Sequence, residues 1–202
     1  MTHEYMAKTE KKGHRRRAVM LFIDESGISL VPFAAKTWAP KGQTPVLVHP
    51  FRRSKLSMIS GVTPRGKIYF RLHESAVRGL QVRMFLQQIL RHLRRKPIMV
   101  FWDNARPHAS STVKELIENH PRLEVCHLPP YFYEGNPDEG FWNVLKAREL
   151  ANLCPRNIRE LKSETRKAVN RIRAKPNLIK SFFKKTPLFS EHYRKRLLKQ
   201  IS

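Results

Sequence analysis

The chain has 202 residues, 41% of them hydrophobic, and carries 40 Lys and Arg against 16 Asp and Glu, a formal net charge of +24. This length and apolar fraction suffice for one substantial domain with its own core, which excludes a disordered tail. No apolar run approaches the roughly 20 residues that a membrane-spanning helix needs, and the first residues lack the apolar stretch of a secretory signal.

Positive charge is concentrated in two segments that flank an acidic one. Residues 50–96 hold 12 basic residues and 1 acidic residue, and residues 156–202 hold 15 basic and 3 acidic residues. Residues 97–155 between them hold 5 basic and 8 acidic residues. Because lysines and arginines bind phosphates while carboxylates bind cations, this distribution predicts a chain that acts on nucleic acid with metal ions.

The N-terminal part predicts a basic lead-in and a β-hairpin. Residues 1–17 are polar and end in three consecutive arginines, which favours a flexible lead-in. Residues 19–23 and 28–31 are apolar runs of strand length joined by a polar Ser-Gly turn. This pattern puts the carboxylates of Asp24 and Glu25 at the end of the first strand. Glu25 is expected to face solvent because successive strand residues point to opposite faces.

A loop and two further strands follow the hairpin. Residues 36–43 contain a proline and a glycine that exclude regular structure. Trp38 within them either packs on DNA or fills the core against the sheet, and the core position is favoured. Residues 55–59 and 67–72 are apolar segments on either side of a Thr-Pro-Arg-Gly turn, which is typical of paired strands.

The second half of the chain alternates helices with strands. From Val82 to Leu93, apolar residues recur at three- and four-residue steps, and arginines occupy the other side of this amphipathic helix. The remaining elements are a strand at 98–102, a helix at 112–119, a strand at 123–128 and a helix at 157–173 with Asn157 as its N-cap. This order predicts an α/β fold with a five-stranded mixed sheet flanked by helices.

Three acidic residues lie at element ends, where they can converge on one cleft. Asp24 and Asp103 each follow an apolar strand directly, and Glu139 lies at the start of a helix with Asn136 as its cap and Pro137 as its first residue. Displacement at a phosphodiester needs an activated oxygen nucleophile and a stabilised leaving oxygen, and two cations about 4 Å apart provide both. Carboxylates from separate elements are suitable ligands for such hard cations.

Simpler roles are open for several residues of this group. Asp103 also suits a turn after a strand, and Glu139 also suits complementing a helix dipole. Asn104 and His108 are predicted to support the site, where His108 either orients a phosphate or a water, or makes a structural hydrogen bond. Trp142 lies on the inward side of its helix, where core packing is expected.

Four motifs in order give the chain a family resemblance. They are Phe-Ile-Asp-Glu-Ser at 22–26, Lys-Thr-Trp-Ala-Pro-Lys-Gly-Gln-Thr-Pro at 36–45, Asp-Asn-Ala-Arg-Pro-His at 103–108, and Leu-Pro-Pro-Tyr at 128–131 followed by Asn-Pro-Asp-Glu-Gly-Phe-Trp at 136–142. Together they resemble the catalytic domain of mariner-related bacterial insertion-sequence transposases, which are DDE superfamily endonucleases. The resemblance covers about residues 19–173, and four ordered motifs make it specific.

The resemblance implies an RNase H-like fold and an enzyme that cleaves and transfers DNA strands. It implies two divalent cations, normally Mg²⁺ with Mn²⁺ as a substitute, held by Asp24, Asp103 and Glu139. It also implies transposon ends and target DNA as partners and a homodimer assembled on DNA. Such a protein is expected to be cytoplasmic and nucleoid-associated, without a membrane span.

Two features depart from the family pattern. The usual Ser-Pro-Glu-Leu before Asn136 is replaced by Phe-Tyr-Glu-Gly at 132–135, so the loop before the third acid is altered. Family members also carry N-terminal helix-turn-helix modules, whereas only 18 residues precede the first strand here. The expected organisation is a basic lead-in at 1–17, a catalytic domain at 18–173 and a loosely packed basic tail at 174–202. A helix-turn-helix protein is then expected as a separate partner.

The expected DNA contacts come from the basic segment at 50–96. Such contacts give an affinity that is indifferent to sequence and falls steeply with salt. The candidates are Arg52, Arg53, Lys55, Arg91, Arg94 and Arg95.

Alternative functions differ in how well the residues support them. A catalytically inactive DNA-binding remnant of a transposase and a general RNase H-like nuclease or resolvase would share the fold and the basic segments. A serine hydrolase is disfavoured because the chain has no Gly-x-Ser-x-Gly motif. A zinc site of Cys126, His127 and Cys154 lacks ligand spacing, and the two cysteines are typical of reduced residues in a cytoplasmic protein.

Overall fold

The computed structural model describes residues 8–9, 11–13, 15–49, 54–105, 107–128, 135–184 and 186. The strands in this part of the chain are β1 (Val19–Ser29), β2 (Lys55–Val62), β3 (Ile68–His73), β4 (Ile98–Trp102) and β5 (Leu123–His127). They form one sheet in the order β3-β2-β1-β4-β5. β1 pairs antiparallel with β2 and parallel with β4, so strand direction changes at the central strand. The predicted five-stranded mixed sheet is confirmed.

β1 is one continuous strand, so the predicted hairpin within it is wrong. Its first four residues pair with β4, and from Phe22 onward it pairs with β2. The ladder with β2 keeps the Ser-Gly dipeptide extended, with Gly27 opposite Ser57 rather than at a turn. Asp24 therefore lies in the middle of a strand, next to the end of β4.

The helices cover both faces of the sheet. The apolar spacing of the first helix buries Phe85, Leu86 and Ile89, as predicted. The Asn157 side chain accepts a hydrogen bond from the Glu160 N–H at 2.9 Å, which confirms the predicted cap. No helix among the described residues is long and apolar enough to cross a membrane. The helices are α1 (Gly79–His92), α2 (Ser111–Glu118), α3 (Pro137–Val144), a π-helical turn (Leu145–Glu149), α4 (Ile158–Arg173) and α5 (Pro176–Phe182).

Alternate residues of the central strand pack into two separate layers. Leu21 and Ile23 pack with α1 and α2 on one face, while Met20 and Phe22 pack with α3, α4 and α5 on the other. In the second layer Phe22 stacks on Phe101, with ring centroids 4.5 Å apart. Burial on both faces explains why β4, and β1 up to its acidic residues, consist of apolar side chains.

Part of the predicted tail packs into the core. The sequence predicts a loosely packed segment from residue 174 onward, but α5 forms there, and its Ile179 and the following Phe183 are both 0% exposed. Phe183 makes an edge contact with Phe22, with centroids 5.5 Å apart. The basic composition hides this anchoring, because two large apolar side chains are enough to bury one side of a short helix.

Two segments outside the sheet also differ from expectation. Residues 34–40 have no regular structure, and Trp38 is fully exposed, so the prediction that it packs in the core is wrong. At the N-terminus, Lys12 and Arg16 each contact the Glu124 carboxylate of β5 at 2.5 Å. The described part of the lead-in is therefore attached to the edge strand through ion pairs.

Candidate active site

Two of the predicted acids lie at one edge of the sheet. β1 and β4 run parallel, and the last pair in register is Phe22 with Phe101. Asp24 and Asp103 each come two residues after that pair, on neighbouring strands. Parallel strands that are in register bring equivalent positions side by side, so the two acids share the carboxyl end of β4.

Helix α3 brings Glu139 to the same edge. Asn136 caps the helix by accepting a hydrogen bond from the Asp138 N–H at 3.1 Å, and its amide donates to the carbonyl of Ile23 at 3.3 Å. The second bond fastens the start of the helix to the residue before Asp24. Glu139 is exposed, and it lies close enough to Asp24 for its charge to raise the pKa of that carboxyl.

The environment of Asp24 disfavours its negative charge. Burial raises the pKa of Asp24 to about 7, and repulsion from Glu139 and Glu25 adds to the increase. Two hydrogen bonds oppose this shift, since the Glu25 N–H donates to Oδ1 at 2.9 Å and the Trp142 Nε1–H donates to Oδ2 at 3.0 Å. A largely buried carboxyl beside two other acids has an unmet requirement for positive charge.

His108 bridges two acids that belong to different strands. Its Nδ1 contacts Asp103 Oδ1 at 3.0 Å, its Nε2 contacts Glu25 Oε1 at 2.7 Å, and its side chain is 1% exposed. The ring stacks on Trp102 with centroids 4.3 Å apart. Burial alone would lower the pKa of His108, but hydrogen bonds with Asp103 and Glu25 raise it to about 10. The prediction that Glu25 faces solvent is therefore wrong, and His108 makes structural hydrogen bonds.

Asp103 remains open to solvent although it is hydrogen-bonded. Its side chain is 61% exposed, and its Oδ1 also accepts the Ala105 N–H at 2.9 Å. The hydrogen bond with His108 lowers the pKa of Asp103, so its carboxylate is charged. Asn104 beside it is exposed as well. These contacts use Oδ1 and leave Oδ2 without a partner among the described residues. Asp103 can therefore stabilise the turn through Oδ1 and still bind a cation through Oδ2.

Asp138 is buried next to Ser60. Its side chain is 0% exposed, and its Oδ2 lies 2.6 Å from the Ser60 hydroxyl, which donates to it. Burial, reinforced by the charge of Asp24, raises the pKa of Asp138 well above its ordinary value. The acid of α3 that is accessible from outside is therefore Glu139.

Lys146 enters the site from the π-helical turn. It belongs to none of the four sequence motifs. Its ammonium donates to Ser26 Oγ at 2.5 Å and lies 5.6 Å from the centre of the Trp142 ring. Burial lowers the pKa of Lys146, while the charges of Glu139 and Asp24 raise it. Lys146 lies seven residues after Glu139, which is about two helical turns. This spacing is the feature of the sequence that could have predicted that the two residues lie on the same side of the helix.

The oxygen donors of this site suit hard divalent cations. Asp24, Asp103 and Glu139 offer carboxylates from three elements, and burial together with the charges of Glu139 and Glu25 raises the pKa of Asp24. Within the described part of the chain, no group of three or more His, Cys, Asp or Glu side chains is placed to hold a metal ion by itself. The arrangement fits an open site, in which waters and substrate oxygens complete the coordination.

The predicted DNA-binding residues are distributed between two ends of the sheet. Arg91, Arg94 and Arg95 are exposed and precede β4, whereas Asp103 follows it. The five residues of β4 separate these arginines from the acids by roughly 17 Å. Lys55 is exposed at the start of β2. The other two candidates, Arg52 and Arg53, lie outside the described residues.

Comparisons with known proteins identify the family and the fold. A family model described as DDE superfamily endonuclease matches residues 19–162. The crystal structure of the Mos1 mariner transposase catalytic domain is similar, with a TM-score of 0.64 and 16% identity over 99% of this chain and 91% of that one. The Mos1 strand transfer complex is similar with a TM-score of 0.67 and 20% identity over 99% of this chain and 59% of that one. No curated protein matches the chain.

A Mos1 mariner paired end complex with Mn is similar to the same degree. It has a TM-score of 0.66 and 20% identity, over 97% of this chain and 59% of that one. The chain thus spans about three fifths of the length of the Mos1 chains in their DNA complexes. At these identities the likeness establishes the fold, which is RNase H-like.

Proposed function

We propose that this chain, which belongs to the DDE superfamily endonucleases, cleaves and transfers DNA strands as the catalytic domain of a transposase. The observation that supports the proposal best is that Glu139 lies near enough to Asp24 to raise its pKa, and that Asp24 is on the strand that pairs in parallel with β4, which Asp103 follows. The Mos1 structures that share this fold include a strand transfer complex and paired end complexes with Mn and with Mg.

The proposed reaction assigns the three acids to two divalent cations, Mg²⁺ or Mn²⁺. When bound, the cations activate the attacking oxygen and stabilise the leaving oxygen. The nucleophile is water for strand cleavage and a DNA 3′-hydroxyl for strand transfer. Asp24 is held between the Glu25 N–H and the Trp142 indole, and His108 holds Asp103 in place. Glu139, the exposed acid, reaches the substrate side of the site.

Lys146 is placed to bind a substrate phosphate. Its ammonium is partly buried, bonds the Ser26 hydroxyl, and forms no ion pair within 4.0 Å among the described residues. An ammonium that has lost part of its hydration gains from an anionic partner. The backbone of a DNA strand at Asp24 and Glu139 would supply that anion, while the arginines beyond α1 would contact DNA farther from the acids.

The net charge of +24 supports strong electrostatic binding to DNA. Binding of this kind is expected to weaken steeply as salt increases, whatever the sequence of the duplex. Recognition of transposon ends and assembly as a homodimer on DNA belong to the same proposal, supported by the paired end complexes of Mos1.

The test is Mg²⁺-dependent nicking of duplex DNA by variants with altered acids. Glu139→Gln should lose cleavage while keeping DNA affinity, because it removes a cation ligand without disturbing the basic surface. Asp138→Asn and Glu134→Gln are matched controls that replace acids next to Glu139 in the sequence and should still cut. If Asp138→Asn fails to cut while Glu139→Gln cuts normally, the ligand assignment is wrong. If the wild-type chain binds DNA but cuts with neither Mg²⁺ nor Mn²⁺, it is a DNA-binding relative without activity.

A further inference from the structure

Asp138 occupies a position where an apolar side chain would cost less free energy. It is 0% exposed, and its Oδ1 has no hydrogen-bond partner among the described residues. A buried acid with one unsatisfied oxygen destabilises a folded chain relative to an apolar side chain that fits the site and leaves no polar partner unsatisfied. Packing alone therefore does not explain an acid at this position. Its one hydrogen bond, to Ser60, is the contact that can give it a role.

The hydrogen-bond partner of Asp138 lies directly beside Asp24. Ser60 in β2 is paired with Asp24 in β1, and its hydroxyl is 2.6 Å from Asp138 Oδ2. Paired residues on neighbouring strands project their side chains to the same face of a sheet. The contact therefore joins α3 to the sheet one residue before Glu139 and one strand away from Asp24.

Three directional contacts fix the rotation of α3 about its own axis. Asn136 donates to a carbonyl of β1 at 3.3 Å, Asp138 accepts from β2 at 2.6 Å, and Trp142 donates to Asp24 at 3.0 Å. Asp138 and Trp142 are four residues apart and share the face that meets the sheet, whereas Glu139 is turned about 100° from Asp138. A rotation of the helix that broke these contacts would turn Glu139 away from Asp24.

We propose that the hydrogen bond between Asp138 and Ser60 positions Glu139 for cation binding beside Asp24. The inference rests on the proposed function in one respect, which is that Glu139 holds a cation. Asp138 is then a positioning residue that acts through the orientation of its helix. A buried acid in this role lowers stability and improves cation binding, so the two properties should change in opposite directions when Asp138 and Ser60 are both replaced by apolar residues.

The test measures Mn²⁺ binding by calorimetry and thermal unfolding in parallel on the full chain. Asp138→Leu should weaken Mn²⁺ binding about tenfold, the effect of losing one good hydrogen bond, and it should lower the Tm because the buried Ser60 hydroxyl loses its acceptor. Ser60→Ala should weaken Mn²⁺ binding to the same extent, and the double variant no further, because both changes remove one contact. Asp138→Asn should stay within about twofold of wild type, since its amide keeps the bond to Ser60.

Val144→Ala is the control for general loosening of the helix. Val144 is a buried residue of α3, so its truncation should lower the Tm without changing Mn²⁺ affinity. Wild-type Mn²⁺ affinity in Asp138→Leu would overturn the proposal. Loss of Mn²⁺ binding in Asp138→Asn as complete as in Glu139→Gln would also overturn it, because Asp138 would then be a ligand itself. The binding measurement needs no cleavage, so a chain that shows these differences in affinity but never cuts counts against the proposed function alone.

Discussion

Replacing His108 with phenylalanine keeps a ring against Trp102 but removes both hydrogen bonds that connect Glu25 to Asp103. A hydrogen bond to a charged group contributes about 1.5–3 kcal/mol where water is largely excluded. The contact with Glu25 meets that condition, since the two side chains are 1% and 19% exposed. The contact with Asp103 counts for less, because Asp103 is 61% exposed. The expected loss in the free energy of unfolding is therefore about 2–3 kcal/mol, mostly from Glu25.

Thermal unfolding of the metal-free protein measures this loss. In a chain of this size about 1 kcal/mol shifts the Tm by about 2–4 °C, so His108→Phe should unfold about 4–12 °C below wild type. Glu25→Gln is the matched control, because it keeps an acceptor for His108 and removes only the charge. Its Tm should fall by less, and adding it to His108→Phe should cause no further loss, since the bond is already absent.

Because the pKa of His108 is raised, the stability difference between wild type and His108→Phe should depend on pH. Hydrogen bonds with Asp103 and Glu25 raise the pKa from 6.5 to about 10 against the opposing effect of burial. A group whose pKa is raised on folding contributes stability that is fully present below the unfolded value of 6.5 and lost as pH rises through about 10. The Tm gap between wild type and His108→Phe should therefore narrow from pH 7 to pH 10. A gap that is absent at pH 7, or that widens toward pH 10, would refute the ionic bridge.

Single contacts elsewhere give three more expectations. Trp142→Phe removes the donor 3.0 Å from Asp24, so the pKa of Asp24 in the metal-free protein should rise further above about 7, as carboxyl-carbon NMR would show. Lys146→Gln should change the Tm by no more than about 1 °C but reduce the slope of log affinity for DNA against log salt by about one. Phe183→Ala should cost about 3–5 kcal/mol in urea denaturation, because a fully buried ring in contact with Phe22 is lost. A cost below about 1 kcal/mol would contradict the core position of Phe183.

Elements with a strong local signal are predicted well from this sequence. The apolar spacing of α1 and the cap of α4 by Asn157 depend on neighbours within four residues, and both are confirmed. The Ser-Gly dipeptide of β1 shows the limit of local signals. Its composition is typical of a turn, but pairing of Gly27 with Ser57, thirty positions away, keeps it extended.

Segments whose charge dominates their composition are predicted less well. Residues 174–202 contain many lysines and arginines, and the sequence pattern predicts a loosely packed tail there. Burial of Ile179 and Phe183 depends on a gap in the core between α3, α4 and the sheet, which no local pattern reveals. Trp38 shows the opposite error, since a large apolar residue is not buried unless a packing surface faces it.

In the candidate site, too, the residues in local motifs are predictable from the sequence, whereas the contacts between distant residues are not. Asp24, Asp103 and Glu139 are visible in the sequence because each lies in a short motif next to an apolar segment. The contacts that orient them join residues far apart in the chain. Glu25 and His108 are 83 positions apart, and Ser60 and Asp138 are 78 positions apart. Such pairs follow from strand register and helix rotation, so they become visible only in the folded chain.

The acids of this site differ in exposure, in hydrogen bonding and in the direction of their pKa shifts. Asp103 is charged and paired with His108 at 3.0 Å, while Glu139 is exposed to water. Burial raises the pKa values of Asp24 and Asp138, which lowers the repulsion that four neighbouring carboxylates would otherwise exert. The two buried acids are therefore the ones whose negative charge the folded chain disfavours, whereas the hydrogen bond with His108 favours the charge of Asp103.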